Sequence, residues 1–329
     1  MYRDRCTKLP DITNEEWEKL NINPENRELI EEFLQESTHL RPKSIKQYTS
    51  ALHIFAKYLM EYLNNRPVYS LRKKDYLRYQ NFLVRHGMSS KGIKFKRSAV
   101  STFCNYLETY YFGEDTRFDK FRNIVKGVES PAPNDVYKKV LVSEEEYQLM
   151  KDTLLEDNRL RDYAMFVVCM ETGMRGGELR QLKRNETNKT IDEKLGYVLT
   201  DILYGKGSGD GKPLEYMINK EALEAMKLYE ATRDKNDGCE YLFVTNYSGI
   251  NQVSDNYFEN VCKDYLSDVV SRRQNEHLYR ASCATRLLMK GVPEILVSKY
   301  VLHHNDLSTL KFYDLRNFEE EKSQIFTTK

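Results

Sequence analysis

Cysteine is sparse and scattered in this chain. The six residues Cys6, Cys104, Cys169, Cys239, Cys262 and Cys283 form no Cys-x-x-Cys pair and no Cys/His cluster at zinc spacing. That excludes a disulfide scaffold and a zinc module, and it points to a reduced, cytoplasmic setting. Long apolar runs are also missing. Nowhere do about eighteen apolar residues follow one another, and Met1 to Pro10 mixes Arg3, Asp4, Arg5 and Lys8 with no apolar stretch behind them. Neither a membrane span nor a signal peptide is therefore expected. Low-complexity tracts and internal repeats are absent as well, so no disordered body or solenoid needs to be invoked. Excess charge is lacking too: the formal net charge is only +1.

What is present is an ordinary globular composition of 40% hydrophobic and 31% charged residues over 329 positions. That length suits two domains, each able to bury its own core. The small net charge hides an asymmetry. Residues 41–100 carry 14 basic side chains against 2 acidic ones, whereas residues 1–40 carry 5 against 10. A short charge run is usually a solvated helix face, but a block this long, with aromatics among its cations, points to nucleic acid.

Within the block, Ile45, Tyr48, Leu52, Phe55, Ala56, Leu59 and Leu63 recur at three- and four-residue intervals and predict a helix that begins near Pro42. Further helices are expected after Ser70, stopping at Gly87, and after Ser89 and Ser90, where Val100, Phe103, Cys104, Leu107 and Tyr111 form the buried stripe. Lys43, Lys46, Arg72, Lys73, Lys74, Lys91, Lys94, Lys96 and Arg97 are the candidate DNA contacts. Their crowding at helix N-termini opposes the helix dipole unless phosphates neutralise it. With a leading helix at 27–36, this is a small helical domain over 25–129, preceded by an N-terminal extension at 1–24.

Residues 130–139, which include Ser130-Pro-Ala-Pro-Asn-Asp135, read as a linker because their prolines and small neighbours neither continue a helix nor supply a core. Beyond it, over 140–329, Ser143 to Glu146 opens a helix as a capping box, and an apolar helix at 162–171 ends at Gly173. A strand pair is expected at 196–204 and 214–218 around the glycine-rich stretch 205–212. Helices follow at 220–231, 254–269, 280–289 and 293–301. The fold class expected is mainly α, with a small antiparallel sheet in the second domain.

Four separated clusters stand out: Thr172-Gly-Met-Arg-Gly-Gly-Glu-Leu179, Gly205-Lys-Gly207, His277-Leu-Tyr-Arg280, and Leu302-His-His304 with Tyr313 nine residues on. In this order and spacing they resemble the signature of the tyrosine recombinase, or phage integrase, family. The basic helical domain resembles that family's core-binding (SAM-like) domain, as in Xer-type enzymes and small integrases that lack an arm-binding domain. The resemblance implies a DNA recombinase that cuts and rejoins strands through a 3′-phosphotyrosine made by Tyr313, with Tyr300 on the preceding helix as the weaker rival. Arg175 and Arg280 would grip the scissile phosphate as paired donors. His277 and His304 would assist, Lys206 would be the general acid, and Glu178 would hold the site in order. No ATP, metal or other cofactor is implied.

Some assignments remain open on the residues alone. Lys212 competes with Lys206 on the same loop, although the Gly-Lys-Gly context favours Lys206. The family usually has Leu-Gly-His where this chain has Leu302-His303-His304, so His303 stands as a neighbour of His304 or as a DNA contact. The glycine-rich loop lacks the Lys-Ser/Thr ending of a P-loop. The resemblance further implies a homotetramer on two duplexes with inverted-repeat core sites, a clamp of two domains around DNA, a C-terminal tail packed on a neighbouring protomer, and a cytoplasmic, nucleoid-associated protein that integrates or excises a mobile element. A type IB topoisomerase, a telomere resolvase, or a non-catalytic DNA-binding protein of the same fold are the alternatives.

Overall fold

The computed structural model describes residues 9–38, 40–132, 140–205 and 211–316. Of residue 43 it describes the backbone only. Contacts divide the chain into two compact units, residues 3–138 and 139–329. Among the described residues, no helix is long and apolar enough to cross a membrane.

The first unit is helical. Its helices are α1 (Asn14–Lys19), α2 (Pro24–Glu36), α3 (Pro42–Tyr62), α4 (Lys73–Arg85) and α5 (Ser90–Tyr110). The expected stripe on α3 is largely buried: Leu52, Phe55, Ala56, Leu59 and Leu63 join Tyr76, Tyr79, Leu83, Phe103, Cys104 and Leu107 in one core. Proline opens α2 and α3, where its missing N–H costs nothing. Part of the stretch read as an N-terminal extension is instead built into this core. Thr13 and Glu16 cap α1 reciprocally, at 2.8 and 3.2 Å, and Trp17 is only 3% exposed. The signal was the Thr-x-x-Glu spacing of a capping box, which the run of acids around it obscured.

The second unit begins with α6 (Glu144–Glu156), capped by Ser143 and Glu146 as expected. Its centre is α7 (Leu160–Thr172), apolar on most sides because neighbours enclose it: Ala164 to Met170 are all buried. A short α8 (Gly176–Leu179) follows.

The expected strand pair is split into two antiparallel ladders. They are β1 (Tyr197–Leu199) with β4 (Met217–Asn219), and β2 (Leu203–Gly205) with β3 (Lys212–Leu214). Between the ladders, residues 200–202 oppose only 215–216, so one strand carries an extra residue, as in a bulge. Thr200 and Tyr216 bridge the gap with two 3.0 Å hydrogen bonds. Leu214, Tyr216 and Ile218 alternate inward to the core.

Then come α9 (Lys220–Glu230), β5 (Val244–Thr245) paired with β6 (Asn251–Gln252), α10 (Tyr257–Asn260), α11 (Ser267–Val269), α12 (Glu276–Met289) and α13 (Glu294–Leu296). The helix expected at 254–269 is interrupted by a π-helical turn, Val261–Leu266. A second π turn, Val297–Val301, prolongs α13. Such widened turns leave no period in the sequence, yet they re-aim whatever follows them. Here that is Leu302-His303-His304, followed by the 3₁₀ turn Leu307–Phe312 that ends at Tyr313.

Candidate active site

The site is assembled around one buried cation. Arg280 lies in the second turn of α12 and is completely buried. Its two terminal nitrogens donate to the backbone carbonyls of Gly173 and Leu302. Its Nε has no partner, and no carboxylate lies within ion-pair distance among the described residues. A buried guanidinium held by neutral carbonyls, with Glu178 attracting it only from beyond ion-pair distance, lacks a direct counter-ion, and burial makes such a charge expensive. The carbonyl of Gly173 is available because α7 ends there in a left-handed turn, φ +68. A Cβ at this position would press on Val301 at 3.3 Å and Cys283 at 3.5 Å, so glycine also permits the close approach.

Two residues on, Arg175 caps α8. Its backbone N–H donates to Glu178 Oε2 at 3.0 Å and its Nη1 to Oε1 at 2.9 Å. Glu178 is 2% exposed. Although burial pushes its carboxyl upward, Arg175, the Tyr216 hydroxyl and the Arg175 amide together hold it below the usual range. The hydroxyl of Tyr216 donates to Glu178 Oε2. Glu178 thus fixes the angle of Arg175, and Tyr216 fixes Glu178.

Tyr313 approaches from the other side. Its ring centroid is 5.5 Å from the Arg280 guanidinium carbon and 4.9 Å from the His304 ring. Its segment is fastened to α12 by Thr285, whose hydroxyl accepts from the Leu315 N–H at 2.9 Å and shares its one proton between the Ala281 carbonyl at 2.8 Å and the Tyr313 carbonyl at 3.0 Å. One helix therefore carries both the buried arginine and the clamp for the tyrosine segment. Both ring nitrogens of His304 are buried and unpartnered. Burial, with Arg280 and Arg175 nearby, pushes its pKa down to about 4, so the ring is neutral at pH 7.

Arg175, Lys212, Leu214, His303, His304 and Thr309 are among the residues lining a cavity of about 300 Å³ beside this constellation. Lys212 reaches across it to Asn305 Oδ1 at 2.8 Å and the His303 carbonyl at 3.4 Å. His277 does not line the cavity; it stands exposed in the first turn of α12. Tyr300 is 49% exposed on the wall of an adjoining, larger cavity that shares Lys212, Leu214, His303, His304 and Asn305 with the first. Lys206 lies outside the described residues, as does the C-terminal tail from residue 317. Tyr216 and Thr285 were not among the residues expected from sequence.

In the first unit, Lys46, Arg72, Lys73, Lys74, Lys91 and Lys94 are exposed, and Lys96 is half-buried. Arg97 is spent internally. It donates to Gln80 at 3.2 Å and to the carbonyls of Val125 (3.1 Å) and Val128.

A model of the phage integrase family matches residues 139–320, more than half of the chain. The chain belongs to that family: it is a tyrosine recombinase, an enzyme that breaks and rejoins DNA strands in site-specific recombination. Among its relatives, the SPbeta prophage-derived recombinase-like protein YomM of Bacillus subtilis is 43% identical over 329 residues, covering 99% of this chain and 97% of that protein. The tyrosine recombinase XerD of Listeria monocytogenes is 24% identical, covering 87% of this chain and 93% of that one. Two solved structures share the fold. The Tn1549 transposon integrase in complex with a circular intermediate DNA has a TM-score of 0.66 at 14% identity, covering 92% of this chain and 99% of that one. The XerH recombinase bound to its difH substrate has a TM-score of 0.64 at 19% identity, covering 91% and 84%.

Proposed function

We propose that the chain recombines DNA at specific sites through a 3′-phosphotyrosine formed by Tyr313, in the integration or excision of a mobile element. The observation that carries this reading is the placement of the Tyr313 ring against a buried, counter-ion-deficient Arg280 and a neutral His304. Likeness to a prophage-derived recombinase-like protein and to a transposon integrase supports the mobile-element role.

In this reading a DNA phosphate accepts further hydrogen bonds from Arg280 and Arg175, and His304 donates one hydrogen bond to it. Tyr313 attacks the phosphorus, forming a phosphate ester, while the 5′ oxygen leaves and takes a proton from Lys206. By resemblance His277 takes up the proton that the Tyr313 hydroxyl loses, and Glu178 keeps Arg175 aimed. The ester conserves the energy of the broken bond, so religation needs no nucleotide, and neither step calls on a metal. The free phenol has a pKa near 10, and the surrounding guanidinium groups favour its anion as it attacks. The exposed cations of the first unit, with Lys43, contact the duplex. Four protomers act on two duplexes that carry inverted-repeat core sites.

A supercoiled plasmid bearing two copies of the selected site tests the function. Recombinant circles are expected. Relaxation without exchange would favour a type IB topoisomerase, and binding without either would favour a non-catalytic DNA-binding protein.

Two subsidiary outcomes are expected. First, Lys206→Ala should cleave an ordinary phosphodiester poorly yet recover on a 5′-bridging sulfur substrate. A thiol with a pKa of about 8.5 leaves readily as its anion, whereas an alkoxide does not. Lys212→Ala should show no selective rescue, because its ammonium is tied to Asn305 and the His303 carbonyl; rescue confined to that variant would transfer the acid role to Lys212. Second, exchanging the exposed Lys91 and Lys94 for Ala should flatten the slope of log affinity against log salt by roughly 0.9 for each phosphate left without its cation. An unchanged slope would make these cations solvated surface. Arg97 is left out of that test, since its loss would strand two carbonyls inside the unit.

A further inference from the structure

We propose that His303 is a catalytic residue of this enzyme, a second imidazole that donates a hydrogen bond to a non-bridging oxygen of the scissile phosphodiester beside His304. The inference rests on the reading of the cavity as the cleavage site.

The backbone gives the first reason. His303 sits at φ +49, a region in which glycine is unstrained and a side chain is crowded. The resemblance to integrases leads one to expect glycine at this position, so an imidazole stands where the turn itself asks only for a residue that tolerates left-handed angles.

The ring's surroundings give the second. It is packed edge-to-face on Tyr216, with centroids 4.5 Å apart and planes at 79°, so it adjoins the residue that fixes Glu178 and, through it, Arg175. It lines the same cavity as Arg175, His304 and Lys212. Its Nε2 is buried without a partner, as are both nitrogens of His304.

The third reason is an imbalance of donors over acceptors. Asp306 supplies the carboxylate among the lining residues, and its oxygens already accept from the Ser308 amide and hydroxyl, both at 2.8 Å. Asn305 Oδ1 is taken by Lys212. The cavity thus offers guanidinium, ammonium and two imidazoles with little left to accept from them. A metal cation would be repelled there. A phosphodiester brings two non-bridging oxygens that share one negative charge and matches the deficit. Burial and the nearby Arg280 push the His303 pKa down to about 4, so at neutral pH the ring carries a single N–H. With that proton on Nε2, His303 donates without adding a third full charge beside the arginines. It forms no covalent bond and transfers no proton; it steadies the charge on the phosphate as Tyr313 attacks.

The experiment is single-turnover formation of the covalent adduct on a nicked suicide duplex by the full chain, with DNA affinity measured alongside. Glycine adopts the backbone angle of residue 303 freely, so His303→Gly removes the ring and keeps the turn. Its rate is expected to fall about tenfold or more, the scale of one hydrogen bond to a charged group, at unchanged affinity. Added imidazole should restore part of the rate of this variant and leave the wild-type rate alone. His303→Asn, which tolerates the same angle and keeps an N–H donor, should fall in between. Wild-type speed in His303→Gly would overturn the proposal. If that variant melts below the assay temperature, His303→Ala, which also lacks the donor, decides: slower cleavage at unchanged affinity supports the role and wild-type speed refutes it. Failure of the wild type to form any adduct would instead refute the cleavage reading on which the proposal rests.

Discussion

Tyr313→Phe is expected to abolish covalent joining to DNA while leaving site-specific affinity within about twofold, because it removes the nucleophilic oxygen and keeps the ring and the backbone of its segment. The ring would still lie over Arg280 and against His304. The segment would still be fastened by Thr285, because that clamp uses the backbone of Tyr313 and Leu315. A structural defect would therefore not explain the loss. Persistence of an adduct in this variant would move the nucleophile elsewhere, with the exposed Tyr300 the first place to search.

Arg280→Ala is expected to fail in two separable ways. As a lost donor to the transition state it should cost about 10² to 10³ in cleavage rate or more, by analogy with the removal of a preorganised oxyanion donor. As a large side chain removed from a fully buried position, it also leaves a cavity and strands the carbonyls of Gly173 and Leu302. That should destabilise the second unit by about 2–4 kcal/mol. Arg280→Lys separates the two effects. It keeps a charge and most of the volume but cannot reach two carbonyls and a phosphate as a planar fork, so cleavage should remain poor while thermal stability largely returns. Arg175→Ala should match Arg280→Ala in rate and should also lower stability, because the buried Glu178 would lose its ion-pair partner. Near-normal cleavage by any of these variants would break the phosphate-clamp assignment.

The parts of the site legible in the sequence are those carried by local spacing. Arg175 and Glu178 lie three residues apart because one caps a helix whose first turn holds the other. His304 and Tyr313 keep their separation because a single 3₁₀ turn joins them. The residues that went unnoticed act across the fold. Tyr216 meets Glu178 from 38 positions away, and Thr285 reaches the Tyr313 carbonyl across 28. A threonine in a helix and a tyrosine in a strand announce nothing by themselves.

The same contrast holds for the scaffold. The amphipathic face of α3 and the cap of α6 follow from periodicity and from one serine. The bulge that splits the strand pair, and the π turn that delivers Leu302-His303-His304, depend on tertiary packing that no short window contains. Arg97 is the instructive case among the cations. Its position in a basic run suggested phosphate, whereas three internal acceptors hold its guanidinium.

The most direct test of the mechanism is to identify the residue bound to DNA. Wild-type protein would be trapped on a nicked suicide substrate, digested with trypsin, and the nucleotide-bearing peptide sequenced by mass spectrometry. The expected peptide is Phe312–Arg316, modified at Tyr313 through the 3′ phosphate of the cleaved strand. Tight, site-specific binding with no adduct, or an adduct on another side chain or on a 5′ phosphate, would contradict the mechanism.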